Sequence, residues 1–414
     1  MGTGYNFDYI IIGSGPAGRT AATKLAQSGK KVAIVECNGL GGAEISTRDF
    51  PYRISLDFAH AYYKFANSPA VKGSSCHFNF PTLVASVDEA IRKKQAEIAK
   101  TLKDLDILLI EGFAHFLDPH TIAVENIKYT AKNFILATGS ELKASEIAGL
   151  ESVKYLDPDN ALCLRRSPKF VFVAGGGPTG VEIAEYFAML GIGVIIMERA
   201  DHILPREDEE VAANITDCLT SKLGVTIVTN SKVVQITEDR SSKIVVFING
   251  SSEKMVRVDS IVIATGSEPF LDYGLENAGV DYKRTGIIVD KFFTTTAKNI
   301  FAIGDCIDSS NSSTKRAQME AEVLVENLLH RGKATADYSK IPRVIHTYPE
   351  IATIGMNERD ALSRDLKYKK TIKKLEDPDC FVKIIEGAKG RLLGATIVSP
   401  NASLALDLKN LLTK

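Results

Sequence analysis

One short stretch occurs twice in this chain, as Asp8-Tyr-Ile-Ile-Ile-Gly-Ser-Gly-Pro-Ala-Gly18 and as Lys169-Phe-Val-Phe-Val-Ala-Gly-Gly-Gly-Pro-Thr-Gly180. Each copy is an apolar run that ends in Gly-x-Gly-x-x-Gly, and such a run is typical of a buried parallel strand. The three glycines permit a tight turn, a close approach of the backbone to a pyrophosphate, and close packing of helix on strand. They are Gly13, Gly15 and Gly18 in the first copy and Gly175, Gly177 and Gly180 in the second.

The chain after each glycine stretch also repeats. A helical pattern follows, over residues 19–27 and 181–190, and then a second apolar run ends in Glu36 or in Glu198. Each acid stands 23 residues after the first glycine of its copy, where a carboxylate can accept hydrogen bonds from ribose hydroxyls. A lone glycine motif is weak support, but two complete strand–turn–helix–strand–acid units at equal spacing predict two dinucleotide-binding domains.

Two further features of the sequence lie downstream of the glycine motifs. Phe134-Ile-Leu-Ala-Thr-Gly-Ser140 and Ile261-Val-Ile-Ala-Thr-Gly-Ser267 share one ending, and each follows its own glycine stretch. A third strand pattern ends in Gly304-Asp305, and a helical pattern begins near Thr314. The glycine allows close approach and the aspartate can bind ligand hydroxyls, although alone this segment would pass for a turn that caps a helix.

Composition narrows the possible functions. The chain has 414 residues, 50 Lys and Arg against 51 Asp and Glu, a net charge of −1 and 45% hydrophobic residues. A balanced charge argues against a nucleic-acid binder. No apolar run reaches the length of a membrane span, and the N-terminus has no signal-peptide pattern. We therefore expect a cytoplasmic protein of two or three domains.

The six cysteines are isolated from one another. They form no Cys-x-x-Cys motif and no cluster with zinc spacing, so the sequence predicts reduced thiols and no metal site. The cysteines are Cys37, Cys76, Cys163, Cys218, Cys306 and Cys380.

Together these motifs resemble the pyridine nucleotide–disulfide oxidoreductases, the family of dihydrolipoamide dehydrogenase, glutathione reductase and mercuric reductase. The resemblance covers nearly the whole chain and extends to the stretches 203–208, 347–355 and 390–398. It implies an α/β fold with two Rossmann-like dinucleotide-binding domains plus a shortened C-terminal α+β interface domain. It also implies that the first glycine motif binds FAD and the second binds NAD(H), with the helix after Gly304-Asp305 directing its N-terminus at the flavin.

The resemblance assigns site residues and domain boundaries. The FAD-binding domain would comprise residues 1–150 and 268–332, the NAD(H)-binding domain 151–267 and the interface domain 333–414. The predicted FAD site comprises Gly13, Gly15, Pro16, Ala17, Gly18, Glu36, Ala114, Thr138, Gly139, Gly304 and Asp305. The predicted NAD site comprises Gly175, Gly177, Pro178, Thr179, Gly180, Glu182, Glu198, Arg199 and Gly266.

The chain departs from the family in its redox motif. The family carries Gly-Gly-x-Cys-x-x-x-x-Cys-x-Pro-x-Lys, whereas this chain reads Gly41-Gly-Ala-Glu-Ile-Ser-Thr-Arg-Asp-Phe-Pro-Tyr-Arg53. Glu44 and Asp49 therefore occupy the cysteine positions, and carboxylates cannot exchange with a disulfide. Cys37 has no partner at the right spacing, and we expect it to be a buried thiol at a strand end.

Two other family features are altered. The C-terminal His-Pro motif and its glutamate are absent from this sequence, and no histidine follows His346, which we expect to be a packing or surface residue. Arg53 stands at the motif's Lys position and Glu182 at that of a family glutamate, so an ion pair near the flavin is one interpretation. Two unrelated solvated charges are the other.

Three remaining segments have ordinary interpretations. Residues 92–100 predict a solvated helix face, residues 309–313 a polar loop, and the lysine-rich stretch 367–374 an edge strand. A nucleic-acid contact at that strand is a weaker alternative.

The sequence therefore favours an FAD enzyme that oxidises NADH and reduces a non-disulfide acceptor, such as oxygen, a quinone, a metal ion or a protein. Arg199 follows Glu198 and carries a positive charge that can bind a 2′-phosphate, so NADPH stays the less favoured alternative. A non-catalytic flavin- and nucleotide-binding sensor or scaffold is the alternative, and a disulfide reductase ranks last. The recognisable interface strands imply a homodimer with a reduced interface.

Overall fold

The computed structural model describes residues 4–71, 78–143, 147–240, 242–307 and 313–402. Cys76, most of the predicted polar loop 309–313 and the last twelve residues lie outside this range. The strands, in chain order, are β1 Phe7–Ile12, β2 Val32–Glu36, β3 Leu108–Glu111, β4 Ala114–Asp118, β5 Thr121–Val124, β6 Ile127–Leu136, β7 Ser140–Leu142, β8 Phe170–Ala174, β9 Gly193–Met197, β10 Thr226–Val228, β11 Ser231–Asp239, β12 Ser242–Asn249, β13 Ser252–Val258, β14 Ser260–Ile263, β15 Ser267–Pro269, β16 Tyr282–Lys283, β17 Gly286–Ile287, β18 Ile300–Ala302, β19 Arg343–Ile345, β20 Glu350–Gly355, β21 Lys369–Lys374, β22 Phe381–Glu386 and β23 Leu392–Ser399.

The α-helices carry most of the remaining regular structure. They are α1 Pro16–Gln27, α2 Gly42–Ser46, α3 Asp49–Ala66, α4 Phe80–Asp104, α5 Pro178–Met189, α6 Glu209–Asp217, α7 Thr314–His330 and α8 Glu358–Ser363. The 92–100 face predicted to be solvated lies on α4, and most of its side chains are exposed.

The chain packs as two compact units. The first comprises residues 1–51, 88–143 and 267–338, and the second comprises 52–87, 144–266 and 339–414. Most of the predicted NAD(H)-binding and interface segments thus belong to one unit, which also includes residues 52–87 of the predicted FAD-binding domain. The domain boundaries drawn from the sequence remain predictions.

A mixed sheet organises the first unit. Its parallel part has the order β3-β2-β1-β6-β18, and the first half of β6 continues antiparallel through β5 to β4. Because β1, β2 and the end of β6 (residues 134–136) are buried on both faces, their sequences are almost continuously apolar. Helices α1 and α7 pack against each other in this unit. The buried residues of the unit include small side chains from both helices, namely Ala17, Ala21, Ala317 and Ala321.

The second unit contains three separate sheets. A parallel sheet has the order β10-β9-β8-β14, and an antiparallel sheet has the order β11-β12-β13. The third is antiparallel with the order β19-β20-β23-β22-β21, so the lysine-rich β21 is an edge strand, as predicted. The expected fold class, with two Rossmann-like sheets and a C-terminal α+β part, is confirmed.

A buried lysine joins the third sheet to the segment that follows β9. Lys383 on β22 is fully buried, and its Nζ lies 2.9 Å from Asp208 Oδ2 and 2.6 Å from Glu210 Oε2. It also contacts the carboxylate of Glu358, the first residue of α8. Partial burial alone would raise the pKa of Glu210, but hydrogen bonds from Lys370 and Lys383 outweigh it and lower the pKa to about 2. These charges hold three elements of the second unit together.

Candidate dinucleotide-binding sites

The first glycine of each motif makes the strand-to-helix turn. Gly13 and Gly175 have φ values of 105° and 115°, a region that side chains rarely adopt. A Cβ added to Gly13 would lie 2.2 Å from the carbonyl oxygen of Ala137, and one added to Gly175 would lie 2.3 Å from that of Ala264. Each turn therefore requires glycine for both conformation and space.

The second and third glycines have opposite surroundings. A Cβ added to Gly15 or to Gly177 would meet nothing within 4 Å, whereas one at Gly18 or Gly180 would lie about 2 Å from the carbonyl oxygen of the first glycine. The third glycine therefore lets the helix pack on the turn, and the second leaves open space at the helix N-terminus. Within the described residues no side chain caps α1 or α5, so their first N–H groups can bind phosphate.

A serine fixes the acid of the first site. The backbone N–H and the hydroxyl of Ser14 both donate to Glu36 Oε2, at 2.8 and 2.6 Å. The N–H groups of Cys37 and Asn38 donate to Oε1, and Gly41 N–H donates to Ser14 Oγ at 2.8 Å. The carboxylate at the end of β2 is thereby oriented beside the glycine turn. The sequence analysis missed Ser14, because the motif leaves its position free.

In the second site the equivalent glutamate is oriented by fewer hydrogen bonds. Glu198 accepts a hydrogen bond from Gly176 N–H at 2.7 Å through Oε2 and one from Ala200 N–H at 2.8 Å through Oε1. Arg199 is exposed. Gly176 stands where the first copy has Ser14, so the backbone contact is kept and the hydroxyl contact is lost.

The remaining predicted FAD residues gather at one edge of the first unit's sheet. Parallel strands β1, β2, β6 and β18 all end at this edge, which places Gly13, Glu36, Thr138, Gly139 and Gly304 together. A Cβ at Gly304 would lie 3.4 Å from Cβ of Ala17, so the Gly304 turn lies against α1. Ala114 is buried at the start of β4, and Asp305 is partly exposed after Gly304.

The predicted NAD residues gather in the same way in the second unit. Pro178 and Thr179 open α5, while Gly180 packs on Gly175. Gly266, with φ of 108° and open space beside it, follows β14, the parallel neighbour of β8. The structure therefore brings both predicted sets together, each within its own unit.

Buried polar residues support the Gly304 turn. Glu320 on α7 is fully buried and accepts a hydrogen bond from Gly304 N–H at 2.7 Å and one from Arg316 Nε at 2.6 Å. The Tyr338 hydroxyl donates to the same carboxylate at 3.0 Å. The turn that the resemblance assigns to FAD is thereby fixed to the first turns of α7.

The carboxylate at the first cysteine position has an arginine partner. Glu44 on α2 forms an ion pair with Arg19 at the end of the first turn of α1, and their side chains are 15% and 18% exposed. Burial raises the pKa of the Glu44 carboxyl, and the Arg19 guanidinium opposes that shift. A Cβ at Gly42 would lie 2.9 Å from Gly15 Cα, so this pair stands directly beside the glycine turn. Asp49, at the second cysteine position, begins α3 and is partly exposed.

The ion pair expected between Arg53 and Glu182 is absent from the described residues. Arg53 lies on an exposed face of α3, and Glu182 Oε1 accepts a hydrogen bond from His346 N–H at 2.7 Å. The next acid on α5, the buried Glu185, accepts Tyr348 N–H at 2.9 and 3.0 Å. Backbone N–H groups at the start of the C-terminal segment are thus hydrogen-bonded to carboxylates on α5.

The five cysteines of the described range form no disulfide with one another. Cys37 is exposed, so the expectation of a buried thiol was wrong, because β2 ends at Glu36 and the chain turns outward there. Burial of its sulfur nevertheless raises the pKa of Cys37, with a contribution from Glu36, and burial raises the pKa of Cys306 to about 12. A raised pKa leaves little reactive thiolate at neutral pH.

Two dinucleotide-binding sheets with an antiparallel C-terminal sheet define a nucleotide-dependent oxidoreductase fold. The family profile "Pyridine nucleotide-disulphide oxidoreductase" matches residues 7–321, and the dimerisation-domain profile of the same family matches residues 341–411. The chain belongs to the pyridine nucleotide-disulphide oxidoreductase family. Members of this family are flavoprotein oxidoreductases that use FAD and a pyridine nucleotide.

Individual relatives agree with this assignment. The chain is 32% identical to a dihydrolipoyl dehydrogenase of Geobacillus stearothermophilus, over 95% of this chain and 87% of the relative. It is 29% identical to a mercuric reductase of Bacillus cereus, over 96% of this chain and 65% of that protein. The structure of the HOCl-induced flavoprotein disulfide reductase RclA from Escherichia coli superposes with a TM-score of 0.87 at 26% identity, covering 98% of this chain and 93% of that one.

None of the described helices has both the length and the apolar character needed to cross a bilayer. No group of three or more His, Cys, Asp or Glu side chains in the described residues is arranged to hold a metal ion.

Proposed function

We propose that this protein is an FAD enzyme that oxidises NADH and passes the electrons to a non-disulfide acceptor. The observation that carries the proposal is the Arg19–Glu44 ion pair at the first cysteine position of the family motif. A carboxylate held by an arginine cannot form a mixed disulfide or store two electrons. The thiol chemistry of the relatives therefore has no counterpart at this position.

Four of the other thiols in the described range are poor substitutes. Cys37 has the wrong spacing from Glu44 and a raised pKa, and Cys218, Cys306 and Cys380 are buried with raised pKa values. A dithiol relay needs two neighbouring thiols, at least one of them reactive as a thiolate.

The chain's own residues have binding and orienting roles in this proposal. The N-termini of α1 and α5 would bind the two pyrophosphates, and Glu36 and Glu198 the riboses. The Gly304 turn, fixed by Glu320, would hold the flavin's side chain. Bound FAD supplies the chemistry of hydride acceptance, which requires no protein nucleophile.

The proposed nucleotide is NADH. Glu198 is oriented by two N–H donors, and a carboxylate there binds ribose hydroxyls but repels a 2′-phosphate. The acceptor class stays open between oxygen, quinones, metal ions and proteins. Metal ions belong in the screen because the similar proteins include mercuric reductases and a Cu(II) complex of RclA.

Anaerobic titration with NADH tests the proposal. We expect the bound flavin to bleach in one two-electron step without the long-wavelength band of a thiolate beside the flavin. We also expect no catalytic reduction of lipoamide or glutathione disulfide. If NADH fails to reduce the bound flavin, the protein would instead be a nucleotide-binding sensor or scaffold.

The Cys37→Ser variant is the matched control for this titration. It should behave as the unmodified protein does, because Cys37 has no redox role in the proposal. Efficient disulfide turnover, or a thiolate band that disappears in this variant, would contradict the proposal.

A further inference from the structure

One buried carboxylate connects the predicted flavin turn to residues 331–338, the segment through which the chain leaves the first unit and which we call the exit segment. Glu320 on α7 is fully buried, and its two oxygens have different partners. Oε2 accepts a hydrogen bond from Gly304 N–H at 2.7 Å. Oε1 accepts hydrogen bonds from Arg316 Nε at 2.6 Å and from the Tyr338 hydroxyl at 3.0 Å. A single side chain therefore holds both the flavin turn and the exit segment.

The exit segment runs back along α7. Arg331, directly after the helix, has a left-handed φ of 50°, which ends the helix and turns the chain. The Asn327 side chain donates to Ala334 O at 2.9 Å and accepts from Ala334 N–H at 2.8 Å. Tyr338 then reaches Glu320, about two turns nearer the start of the helix. Most of the exit segment is exposed and lacks regular secondary structure, so side chains of α7 fasten an irregular stretch at two points.

The contact of Tyr338 lies at the rim of a buried ion pair. Arg316 is 5% exposed, its guanidinium carbon lies 5.2 Å from the centre of the Tyr338 ring, and Tyr338 itself is 47% exposed. Burial and the Glu320 carboxylate raise the pKa of Tyr338 to about 12, so the hydroxyl keeps the proton that it donates. A hydrogen bond to a carboxylate is stronger than one between neutral groups. Removal of this hydroxyl should therefore have a measurable effect.

The other end of the connection belongs to the predicted FAD site. Gly304 has a φ of 79°, and a Cβ there would lie 3.4 Å from Cβ of Ala17 in α1, the helix whose N-terminus we assign to the pyrophosphate. Because Gly304 N–H and the Tyr338 hydroxyl bind the same carboxylate, a shift of the turn moves the acceptor of the hydroxyl. A ligand that fixes the turn fixes that acceptor as well.

We propose that Glu320 is a positioning residue through which bound FAD and the exit segment stabilise one another. This inference rests on the FAD site of the proposed function. FAD that fixes the Gly304 turn also fixes the Glu320 carboxylate, which then holds Tyr338 more firmly. Coupling between two sites is reciprocal, so a fastened exit segment in turn slows the release of FAD. The chain that leads from the first unit into the second thus responds to occupation of the flavin site.

The first test measures FAD release from the loaded, full-length protein. Tyr338→Phe removes the hydroxyl and keeps the ring. We expect FAD to dissociate about 5-fold faster or more, the lower end of the usual range for coupled sites, as measured by the recovery of flavin fluorescence. Tyr368→Phe is the matched control, because Tyr368 donates to Glu358 at 2.8 Å in the second unit. It should release FAD at the rate of the unmodified protein.

The second test uses trypsin, because Arg331 and Lys333 are exposed in the exit segment. We expect bound FAD to slow cleavage after these residues by about 5-fold relative to protein from which FAD has been removed. In Tyr338→Phe this protection should be largely lost. If the hydroxyl had a structural role alone, its removal would instead speed cleavage equally with and without FAD and leave FAD release unchanged.

A double-mutant cycle tests Glu320 as the shared residue. Glu320→Gln retains an acceptor for Gly304 N–H but loses the charge, and we expect it to speed FAD release. Adding Tyr338→Phe should then have little further effect, since both changes act through one side chain. If Glu320→Gln does not fold, FAD release and trypsin cleavage of Tyr338→Phe decide the matter by themselves.

Three results would overturn the inference. They are FAD release at the unmodified rate from Tyr338→Phe, equal trypsin cleavage of FAD-loaded and FAD-free protein, and additive effects in the double-mutant cycle. Failure of NADH to reduce the bound flavin would contradict the proposed function and leave the coupling intact. A protein that neither contains nor takes up FAD would contradict both, and its flavin absorbance shows this before either test begins.

Discussion

Individual glycines in the two motifs are required for different reasons, and the structure separates them. Substitution of Gly13 or Gly18 would push a Cβ into backbone carbonyl groups about 2 Å away, so it would disturb the fold itself. Gly15 and Gly177 have ordinary φ values of −62° and −72° and open space beside them. Only the second glycine of each motif therefore tests ligand binding without disturbing the turn.

Gly15→Val and Gly177→Val form a matched pair. The valine side chain would fill the space at a helix N-terminus that a pyrophosphate needs. We expect Gly15→Val to purify folded but without FAD, and Gly177→Val to retain FAD and lose its reduction by NADH. Flavin absorbance and stopped-flow reduction measure the two effects. Full FAD content in Gly15→Val would remove the first motif from the flavin site.

Glu198 governs the choice of nucleotide in our proposal. We expect NADH to reduce the flavin with a lower apparent KM than NADPH, and Glu198→Gln to narrow that difference because the repelling charge is gone. Arg199→Ala is the comparison variant and should preserve the preference for NADH or increase it, since it removes the neighbouring positive charge that could otherwise bind a 2′-phosphate. Steady-state kinetics with both nucleotides decide the matter, and equal kinetics in the unmodified protein would mean that Glu198 does not contact the ribose.

Residues with a motif position could be predicted from the sequence, and residues defined by a contact could not. The glycines, Glu36 and Glu198 follow from spacing alone. Arg19 and Glu44 are 25 residues apart on different helices, so no local pattern connects them. The Arg53–Glu182 ion pair was one of two interpretations and relied on transferred motif positions. In the described residues Arg53 is exposed, and Glu182 accepts a hydrogen bond from His346 N–H.

At the scale of elements, hydrophobic patterning predicted the central strands of both parallel sheets, but not the short outer strands β3 and β10. It started both helices late: α1 begins at Pro16 and α5 at Pro178, where the sequence pattern indicated Arg19 and Val181. The motif residues assigned to phosphate binding also form the first helical turn, and glycine has a low helix propensity, so the sequence pattern does not indicate that turn. The three-sheet second unit was harder to foresee, because charged contacts such as those of Lys383 are dispersed along the sequence.

Lys383 is the clearest test of those charged contacts. Lys383→Met would leave Asp208, Glu210 and Glu358 without their buried counter-charge, and breaking such a group costs about 3–5 kcal/mol of unfolding free energy. The control is Lys370→Met, whose side chain is 46% exposed and whose ion pairs contribute about 0–1 kcal/mol. Urea denaturation followed by circular dichroism compares the two variants. Equal midpoints would show that the buried lysine is dispensable.

At the scale of the whole molecule, the match of residues 341–411 to a dimerisation domain indicates a homodimer. We predict a homodimer in solution. Sedimentation velocity over a range of concentrations would show a species of twice the chain's mass. A monomer at every concentration would contradict the prediction.

The Arg19–Glu44 pair also constrains the engineering of this protein. Replacing Glu44 and Asp49 with cysteines alone would leave the charge of Arg19 in a partly buried position without its Glu44 partner. A variant designed to carry a thiol pair here would therefore need a third substitution, at Arg19, to avoid that unpaired charge.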